Sequence, residues 1–437
     1  MATVPENEVV TGTDERTKPP FLRRVRIRGY KSIAFCDVAL QPLTILVGRN
    51  ASGKSNFIDA LAFLRDAMAT NIAEATKRHG GWHSILSRFS LSGEISFEME
   101  LSLPPASLPT LMVSDEPRLI AEYGVALKEG PSGSPVLSRE WFSAGEIDGA
   151  GNPRFNATGI YSPDRKNVDF DYQFHHHQIP CSQVPYPHPN HLWIGLFGKP
   201  PFRDVSDDLR FSSFYNFIPE AMRRVQPATS GQLLDQHGWN LASVIEATRE
   251  NDEDVIERIG HYLSVITESV ELVGPVKYGE YETVRFRVAR DAQSQPLEFD
   301  AASMSDGTLR ALAALVAAFQ IVLPHGHPSL IAIEEPETSL HPAATHALVS
   351  ALEAATEHTQ VLLTTHSGDL LADPKLSPSS VLVVRLRDGQ TEIAPVDPAS
   401  REIIHRELYT LADLHRLGQL NPDEEHLERQ ASEARED

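Results

Sequence analysis

The stretch Gly48-Arg49-Asn50-Ala51-Ser52-Gly53-Lys54-Ser55 fits the pattern G-x-x-x-x-G-K-S/T, whose backbone N–H groups surround the phosphates of a nucleotide. Residues 42–47 before it predict a buried strand, and residues 56–64 after it predict a helix. Strand, glycine-containing loop and helix thus follow in the order that phosphate binding requires. A chance match within a Gly/Ser-rich loop is the alternative, and these flanks argue against it. The sequence therefore predicts an α/β fold, a P-loop NTPase sheet flanked by helices.

The positions of this P-loop have distinct expected roles. Gly48 and Gly53 allow close approach of the backbone, and the N-terminus of the following helix presents its positive dipole end to phosphate. Lys54 would reach the β- and γ-phosphates, and the Ser55 hydroxyl would hold Mg²⁺. The residues predicted to bind the nucleotide are Gly48, Asn50, Ala51, Ser52, Gly53, Lys54, Ser55 and Asn56.

Composition limits the possible partners and compartments. The 437 residues include 39 basic and 60 acidic side chains, a formal charge of −21, so a broad electrostatic attraction to nucleic acid is not expected. Any contact with DNA must therefore be local. The two cysteines, Cys36 and Cys181, form neither a disulfide framework nor a C-x-x-C pair, which fits a reducing cytoplasm. The apolar run 311–323 is too short to span a bilayer, so no membrane association is expected.

The first strand after the N-terminal arm has one strongly basic face. Residues 1–20 are polar and lack the apolar run of a signal peptide, which predicts a disordered arm. In the following segment, Val25 and Ile27 alternate with three arginines, Arg24, Arg26 and Arg28. Either this face is simply solvated, or an arginine lies near the nucleotide or near DNA. The sequence leaves both interpretations open.

The region between residues 101 and 230 contains 16 of the 31 prolines and no sustained heptad pattern, which excludes a long coiled coil. We interpret it as a large, irregular α+β insertion, a lid or arm that continues into helices around 240–247 and 253–267. The predicted organisation is a disordered arm (1–20), an N-terminal part of the ATPase core (21–100), the insertion (101–264), a C-terminal part of the core (265–420) and an acidic tail (421–437).

The insertion contains a histidine-rich run: His175, His176, His177, Cys181, His188 and His191. Imidazole and thiolate are the usual ligands of zinc. Three consecutive histidines cannot all point at one metal, however, and the intervening prolines indicate a loop. Composition alone is weak evidence for a zinc site.

A second candidate phosphate site begins the apolar helix predicted over residues 309–323. Ser305, Asp306, Gly307 and Thr308 precede this helix, where a hydroxyl, free N–H groups and the helix dipole can face a phosphate. An ordinary capped helix is the alternative.

Two acidic residues end the short apolar strand predicted over 329–335. A strand that delivers carboxylates to the C-terminal edge of a parallel sheet is what Mg²⁺ coordination and water activation beside a P-loop require. Because side chains alternate along a strand, we assign Glu334 to the Mg²⁺ ion and Glu335 to the attacking water, as general base. The alternative is two solvated acids at a strand end.

His366 follows another buried strand, predicted over 360–365. By the rule that functional groups gather at strand C-termini, His366 would contact the γ-phosphate or orient the attacking water. The predicted catalytic set is therefore Lys54, Glu335 and His366. Beyond it, the sequence predicts a hairpin of residues 381–387 and 390–393, a helix over 401–417, and a frayed end from residue 421 onward.

The order of the P-loop, Ser305-Asp306-Gly307, Glu334-Glu335 and His366 resembles ABC-type ATPases of the soluble RecF- and SMC-like branch. The segments 27–32 and 334–342 look most like AAA-family ATPases related to the overcoming-lysis-defect proteins. The resemblance covers about residues 21–100 and 265–396. It implies ATP and Mg²⁺ as ligands, and an ATP-dependent homodimer in which Ser305 and Gly307 act in trans. Such relatives occur in DNA repair and in anti-phage defence.

Three departures limit the transfer of family roles. The signature reads Ser305-Asp306-Gly307-Thr308 where transporters carry two glycines and a glutamine. Glu334 stands where an aspartate is commoner, and no glutamine is assigned to the loop that links Mg²⁺ to the lid.

Two functions compete. The first is a cytoplasmic ATPase whose ATP-driven dimerisation switches a DNA-directed process. The second is a nucleotide-gated scaffold that hydrolyses little ATP and recruits a nuclease or toxin. A transporter subunit is disfavoured, because the P-loop and the signature are too far apart in sequence.

Overall fold

The structure is a computed structural model. It describes residues 21–90, 92–103, 119–131, 133–147, 153–162, 167–174, 177–178, 191–192, 194, 202–230, 233–268, 270–288, 296–321 and 327–436. The predicted N-terminal arm, Cys181 and most of the histidine-rich run lie outside these residues.

The helices and strands have the following bounds. The strands are β1 Leu22–Tyr30, β2 Ile33–Ala39, β3 Leu43–Val47, β4 Glu94–Leu103, β5 Leu119–Glu129, β6 Pro135–Ile147, β7 Pro153–Ser162, β8 Asn167–Phe174, β9 His177–Gln178, β10 Ser213–Tyr215, β11 Gln226–Pro227, β12 Val270–Tyr278, β13 Tyr281–Val288, β14 Leu297–Asp300, β15 Leu330–Glu334, β16 Gln360–Thr365, β17 Val381–Arg387 and β18 Gln390–Pro395. The helices are α1 Lys54–Ala69, α2 Ile72–Arg78, α3 Trp82–Ile85, α4 Phe202–Phe211, α5 Pro219–Arg223, α6 Leu241–Asn251, α7 Glu253–Thr267, α8 Asp306–Phe319, α9 Pro342–Ala355, α10 Pro398–His405, α11 Leu411–Arg416 and α12 Glu424–Glu436.

The six-stranded sheet, in the order β10-β15-β16-β3-β17-β18, carries the P-loop. Its neighbours from β10 to β17 are parallel, and β18 joins as an antiparallel edge. Every residue of β3 and β16 is buried, as expected for parallel strands covered on both faces. Strand β16 lies between β3 and β15, so the C-terminal ends of these three strands meet at one edge.

Two hydrophobic cores lie on opposite faces of this sheet, because side chains alternate along each strand. Leu46 belongs to the core that contains α1 and the strands of a second sheet, whereas Ile45 and Val47 belong to the core formed with α7, α8 and α9. Helix α8 is buried along nearly its whole length, as its uniformly apolar sequence predicts.

The second sheet is antiparallel and has eight strands in the order β2-β1-β4-β5-β6-β7-β8-β9. Strands β5 to β9 come from the predicted α+β insertion, and β5 pairs directly with β4 over residues 94–103. A third sheet joins β11, β12, β13 and β14, and α6 and α7 form where helices were predicted. Within the described residues, no helix is both long and apolar enough to cross a membrane.

The C-terminal region differs from the prediction in two ways. The single helix predicted over 401–417 is wrong: α10 ends at His405, Glu407 adopts a φ of 55°, and Thr410 caps a new helix through a capping box with Asp413. The frayed end predicted from residue 421 is also wrong, because residues 424–436 form α12. Gln430 on this helix is buried and donates to the carbonyl oxygens of Asp37 and Ile393 at 2.9 and 3.1 Å.

Candidate active site

The P-loop connects β3 to α1 and is fitted closely against the β17–β18 hairpin. Ala51 and Gly53 adopt positive φ values of 61° and 105°. A Cβ atom added at Gly53 would overlap Thr391 Oγ1, and one added at Gly48 would overlap the carbonyl oxygen of Val384. Glycine at these two positions therefore lets the loop pack on the hairpin while its backbone remains directed toward a ligand.

Lys54 is buried, and its side chain folds back onto the P-loop. Its Nζ donates to the carbonyl oxygens of Gly48 and Arg49 at 2.8 and 3.1 Å. Burial lowers the pKa of Lys54, and three nearby carboxylates, Glu335, Glu337 and Glu334, oppose that shift. The two carbonyl contacts hold the ammonium group in place, and phosphate oxygens are the stronger acceptors that would replace them.

Ser55, in the first turn of α1, and Glu334, the last residue of β15, are in contact through their side chains. The Ser55 hydroxyl donates to Glu334 Oε2 at 2.5 Å. Burial raises the pKa of Glu334; the bond from Ser55 opposes this shift, and the neighbouring charge of Glu335 adds to it. A hydroxyl and a carboxylate oxygen side by side suit Mg²⁺, which prefers oxygen ligands. A divalent cation there would also relieve the repulsion between the two acids.

Glu335 and His366 form a pair at the ends of β15 and β16. The register places Glu334 opposite Thr364, so both strands end at the same level of the sheet. Glu335 then turns with a φ of 44°, and its N–H donates to the carbonyl oxygen of Thr364 at 3.1 Å. Its Oε1 lies 3.0 Å from His366 Nδ1, and both side chains are partly open to solvent. A base held by a second group in this way can accept a proton from water.

Ser305 and Gly307 begin α8 as the sequence predicts. The Ser305 side chain caps the helix by accepting from the N–H of Thr308 at 3.1 Å. Gly307 lies against the carbonyl oxygen of Ser339, which a Cβ at position 307 would overlap. The start of α8 is thus a capped helix, and a role in binding phosphate of a second chain stays a prediction.

Sequence reasoning missed Arg223 on α5. Its guanidinium forms an ion pair with Asp306 in the first turn of α8 and donates to the carbonyl oxygen of Met304 at 3.0 Å. The pairing compensates a carboxylate that would otherwise repel phosphate at this helix end. The two residues are 83 positions apart, so no local pattern indicates the contact.

Thr391 was also missed, and it changes the interpretation of Asn56. Thr391 Oγ1 donates to the carbonyl oxygen of Ser52 at 3.0 Å and shares a 2.6 Å hydrogen bond with Ser32 Oγ. The amide of Asn56 donates to the same Ser32 hydroxyl at 2.6 Å. The Asn56 side chain is therefore engaged behind the loop, and its direct contact with nucleotide stays a prediction.

The three arginines on β1 are engaged within the chain. Arg24 and Arg26 donate to the Asp37 carboxylate at 2.6 and 2.8 Å, and Arg28 donates to the carbonyl oxygen of Ala434 at 3.2 Å. Burial would raise the pKa of Asp37, but the hydrogen bonds from Arg24 and Arg26 hold it below its usual value. These contacts give the basic face partners within the chain, and its proximity to DNA stays a prediction.

The described part of the chain contains no group of three His, Cys, Asp or Glu side chains placed to hold a metal ion. His177 and His191 are the members of the histidine-rich run that fall within it. The interpretation of that run as a zinc site stays open, because its other members lie outside the described residues.

Comparisons with known proteins agree with this architecture. A family profile described as "AAA domain, putative AbiEii toxin, Type IV TA system" matches residues 43–373, from the P-loop strand to beyond His366. No curated protein sequence gives a significant match.

Similar solved structures are heads of SMC proteins. An SMC head bound to the C-terminal winged-helix domain of ScpA is 11% identical with a TM-score of 0.52, covering 87% of this chain and 99% of that one. A head from Pyrococcus furiosus, with an extended coiled coil and bound to the C-terminal domain of ScpA, is 10% identical with a TM-score of 0.49, covering 89% and 99%. A Thermotoga maritima head is 14% identical with a TM-score of 0.38, covering 86% and 99%. The first of these likenesses shows the fold, a P-loop NTPase of the SMC-head type.

Proposed function

The chain belongs to the family described as "AAA domain, putative AbiEii toxin, Type IV TA system", and from that premise we propose that it hydrolyses ATP to ADP and phosphate. One observation carries this proposal. The Ser55–Glu334 pair, at 2.5 Å, and the Glu335–His366 pair, at 3.0 Å, stand side by side at the strand ends next to the P-loop. One pair suits a cation and the other suits a water molecule.

The proposed mechanism assigns one task to each group. The loop amides and Lys54 bind the phosphates, and Ser55 and Glu334 would hold Mg²⁺, which offsets phosphate charge when bound. Glu335 takes a proton from water as the water oxygen bonds to the γ-phosphorus and the bond to the bridging oxygen of ADP breaks. His366 keeps the Glu335 carboxylate in place.

We further propose that two chains form an ATP-dependent homodimer. The N-terminus of α8, with Ser305 and Gly307, would complete the site of the other chain by offering N–H groups to the γ-phosphate. Such a composite site makes turnover per chain rise with protein concentration.

The proposed setting is a DNA-linked process in the cytoplasm, either repair or anti-phage defence. The toxin–antitoxin wording of the family description favours defence. Since Arg24 and Arg26 are paired with Asp37, the β1 face lends no support to direct DNA binding. In the alternative proposal, the chain is a nucleotide-gated scaffold. Binding of ATP then controls the recruitment of a separate nuclease or toxin, which acts on DNA, and little ATP is hydrolysed.

Steady-state ATP turnover over a range of protein concentrations, with and without linear duplex DNA, tests the proposal. Glu335→Gln is the blank. Glu357→Gln is the matched control, because Glu357 is exposed and precedes β16, at the opposite edge of the sheet. We expect the control to match wild type and the blank to lose about a hundredfold or more in kcat, within the range for a positioned general base.

Each result has a definite meaning. Concentration-dependent turnover stimulated by DNA supports the DNA-linked dimeric ATPase. Turnover indifferent to DNA keeps the ATPase and contradicts a direct response to DNA. Wild-type turnover no faster than that of Glu335→Gln contradicts hydrolysis and leaves the nucleotide-gated scaffold.

A further inference from the structure

Glu337 is a buried carboxyl group beside the Glu335–His366 pair that the proposed mechanism does not use. Its side chain is 6% exposed. Oε1 accepts a hydrogen bond from the hydroxyl of Thr365, and Oε2 is buried with no hydrogen-bond partner among the described residues. A carboxyl group in such a place is costly to bury, so its presence calls for a specific role.

The turn that contains Glu337 connects three parts of the candidate site. It begins at Glu335, and the N–H of Leu340 donates to the carbonyl oxygen of Glu337 at 2.9 Å near its end. Within the turn, Ser339 adopts a φ of 71° and its carbonyl oxygen lies against Gly307. A movement of this turn would therefore displace both the proposed base and the start of α8.

Thr365 provides the fixed point on the other side. It is the last residue of β16 and has no exposed surface. Besides donating to Glu337, its hydroxyl accepts from the N–H of Ser367 at 2.9 Å. The Thr365 hydroxyl thus bonds both to Glu337, in the turn that begins at Glu335, and to Ser367, which follows His366.

We propose that Glu337 is a positioning residue for ATP hydrolysis: its carboxyl group ties the turn 335–340 to Thr365 and so sets Glu335 against His366. The inference rests on the proposed ATPase function and deepens it. In this role Glu337 acts through Glu335.

Burial and a neighbouring carboxylate both act on the ionisation of Glu337. The charges of Glu335 and His366 act on Glu337, and the charge of Glu337 acts in turn on Lys54. Burial raises the pKa of Glu337, the hydrogen bond from Thr365 opposes the shift, and the charge of Glu335 adds to it. Glutamine has the same length and shape as glutamate and keeps a carbonyl acceptor for the Thr365 hydroxyl. Glu337→Gln should therefore retain the tie, whereas Glu337→Ala and Thr365→Val should lose it.

The first test measures kcat and KM for ATP in the full chain. We expect Glu337→Ala and Thr365→Val to lower kcat by about ten- to a hundredfold, the scale of a small misplacement of a reacting group, with KM changed by no more than about twofold. Glu337→Gln should stay within about threefold of wild type. The control is Glu140→Ala, since Glu140 is equally buried and accepts from Tyr123 at 2.9 Å in the other sheet.

The second test, amide hydrogen exchange, does not depend on turnover. Glu337→Ala should speed exchange in both residues 335–340 and residues 364–367, and Glu140→Ala should change neither segment. Unchanged exchange in Glu337→Ala, wild-type kcat in that variant, or equal loss in Glu337→Gln and Glu337→Ala would overturn the inference. A wild-type chain without turnover would refute the proposed ATPase instead, and exchange would still decide whether Glu337 holds the turn.

Discussion

Replacing Gly53 by alanine should damage the P-loop through two separable effects. The first is backbone strain, because Gly53 has a φ of 105° that L side chains rarely adopt. The second is steric overlap with the hairpin, because a new Cβ would overlap Thr391 Oγ1 and lie 2.6 and 2.8 Å from its Cγ2 and Cβ. Neither effect involves bound nucleotide, so both should appear as lost stability.

The size of the loss follows from the two contributions. A left-handed conformation costs an L residue roughly 1–2 kcal/mol. Overpacking by one carbon typically adds about 1–3 kcal/mol, so Gly53→Ala should lower the free energy of unfolding by about 2–5 kcal/mol. The displaced loop should also bind ATP more weakly, since its amides leave their positions.

Gly279 is the matched control for this prediction. It too has a positive φ, 65°, but a Cβ added there would meet nothing within 4 Å. Gly279→Ala should therefore lower the free energy of unfolding through backbone strain alone, by about 1–2 kcal/mol. Urea unfolding of both variants, with the slope compared to wild type, measures the difference.

The double variant Gly53→Ala/Thr391→Ala separates the two contributions further. Removing the hydroxyl and methyl groups of Thr391 should relieve much of the overlap, so the two substitutions should not be additive. Thr391→Ala alone should cost about 1–3 kcal/mol for the lost hydrogen bonds to Ser52 and Ser32. The reasoning is refuted if Gly53→Ala costs no more than Gly279→Ala, or if the double variant is strictly additive.

Three further predictions concern contacts outside the P-loop. Arg223→Ala should weaken ATP-dependent dimerisation because Asp306 is left uncompensated, whereas Arg224→Ala, the exposed neighbour, should not; sedimentation with ATP distinguishes the two. Gln430→Ala should cost about 1–3 kcal/mol by removing the two hydrogen bonds to the carbonyl oxygens of Asp37 and Ile393. Urea unfolding measures this loss, and unchanged stability would mean that these bonds do not hold α12 in place. Burial would lower the pKa of His79, but its hydrogen bonds to the carboxylates of two aspartates raise the pKa overall. The contribution of His79 to stability is therefore present below about pH 6.5 and lost as pH rises through the folded pKa. The stability difference between wild type and His79→Gln should accordingly be larger at pH 6 than at pH 9, and a difference that grows with pH would contradict this assignment.

The helices near the C-terminus show where pattern reading is insufficient. Residues 401–417 contain no proline or glycine that would end a helix, yet Thr410 and Asp413 form a capping box that starts a new one. Residues 424–436 are mostly polar, which predicts a frayed end. They form a helix because Leu427 and Gln430 are buried against the rest of the chain, and that surface is invisible in the local sequence.

The basic face of β1 makes the same point for function. Alternation correctly places Arg24 and Arg26 on one side of the strand, but it leaves their partners undefined. Asp37 on the adjacent strand and Glu98 on β4 supply those partners. A basic pattern that is consistent with DNA binding thus also forms ion pairs within the chain.

The P-loop, the strand ends and the acidic pair could be located from local patterns alone. Eight consecutive residues carry the phosphate-binding geometry, and parallel strands always bring their C-terminal ends to one edge of a sheet. Contacts such as Thr391 with Ser52 and Gln430 with Asp37 join residues 339 and 393 positions apart. They arise from how the two sheets and the hairpin pack, and packing depends on the whole set of buried surfaces. For the same reason, the tie between Glu337 and Thr365 became apparent only once β15 and β16 were placed side by side.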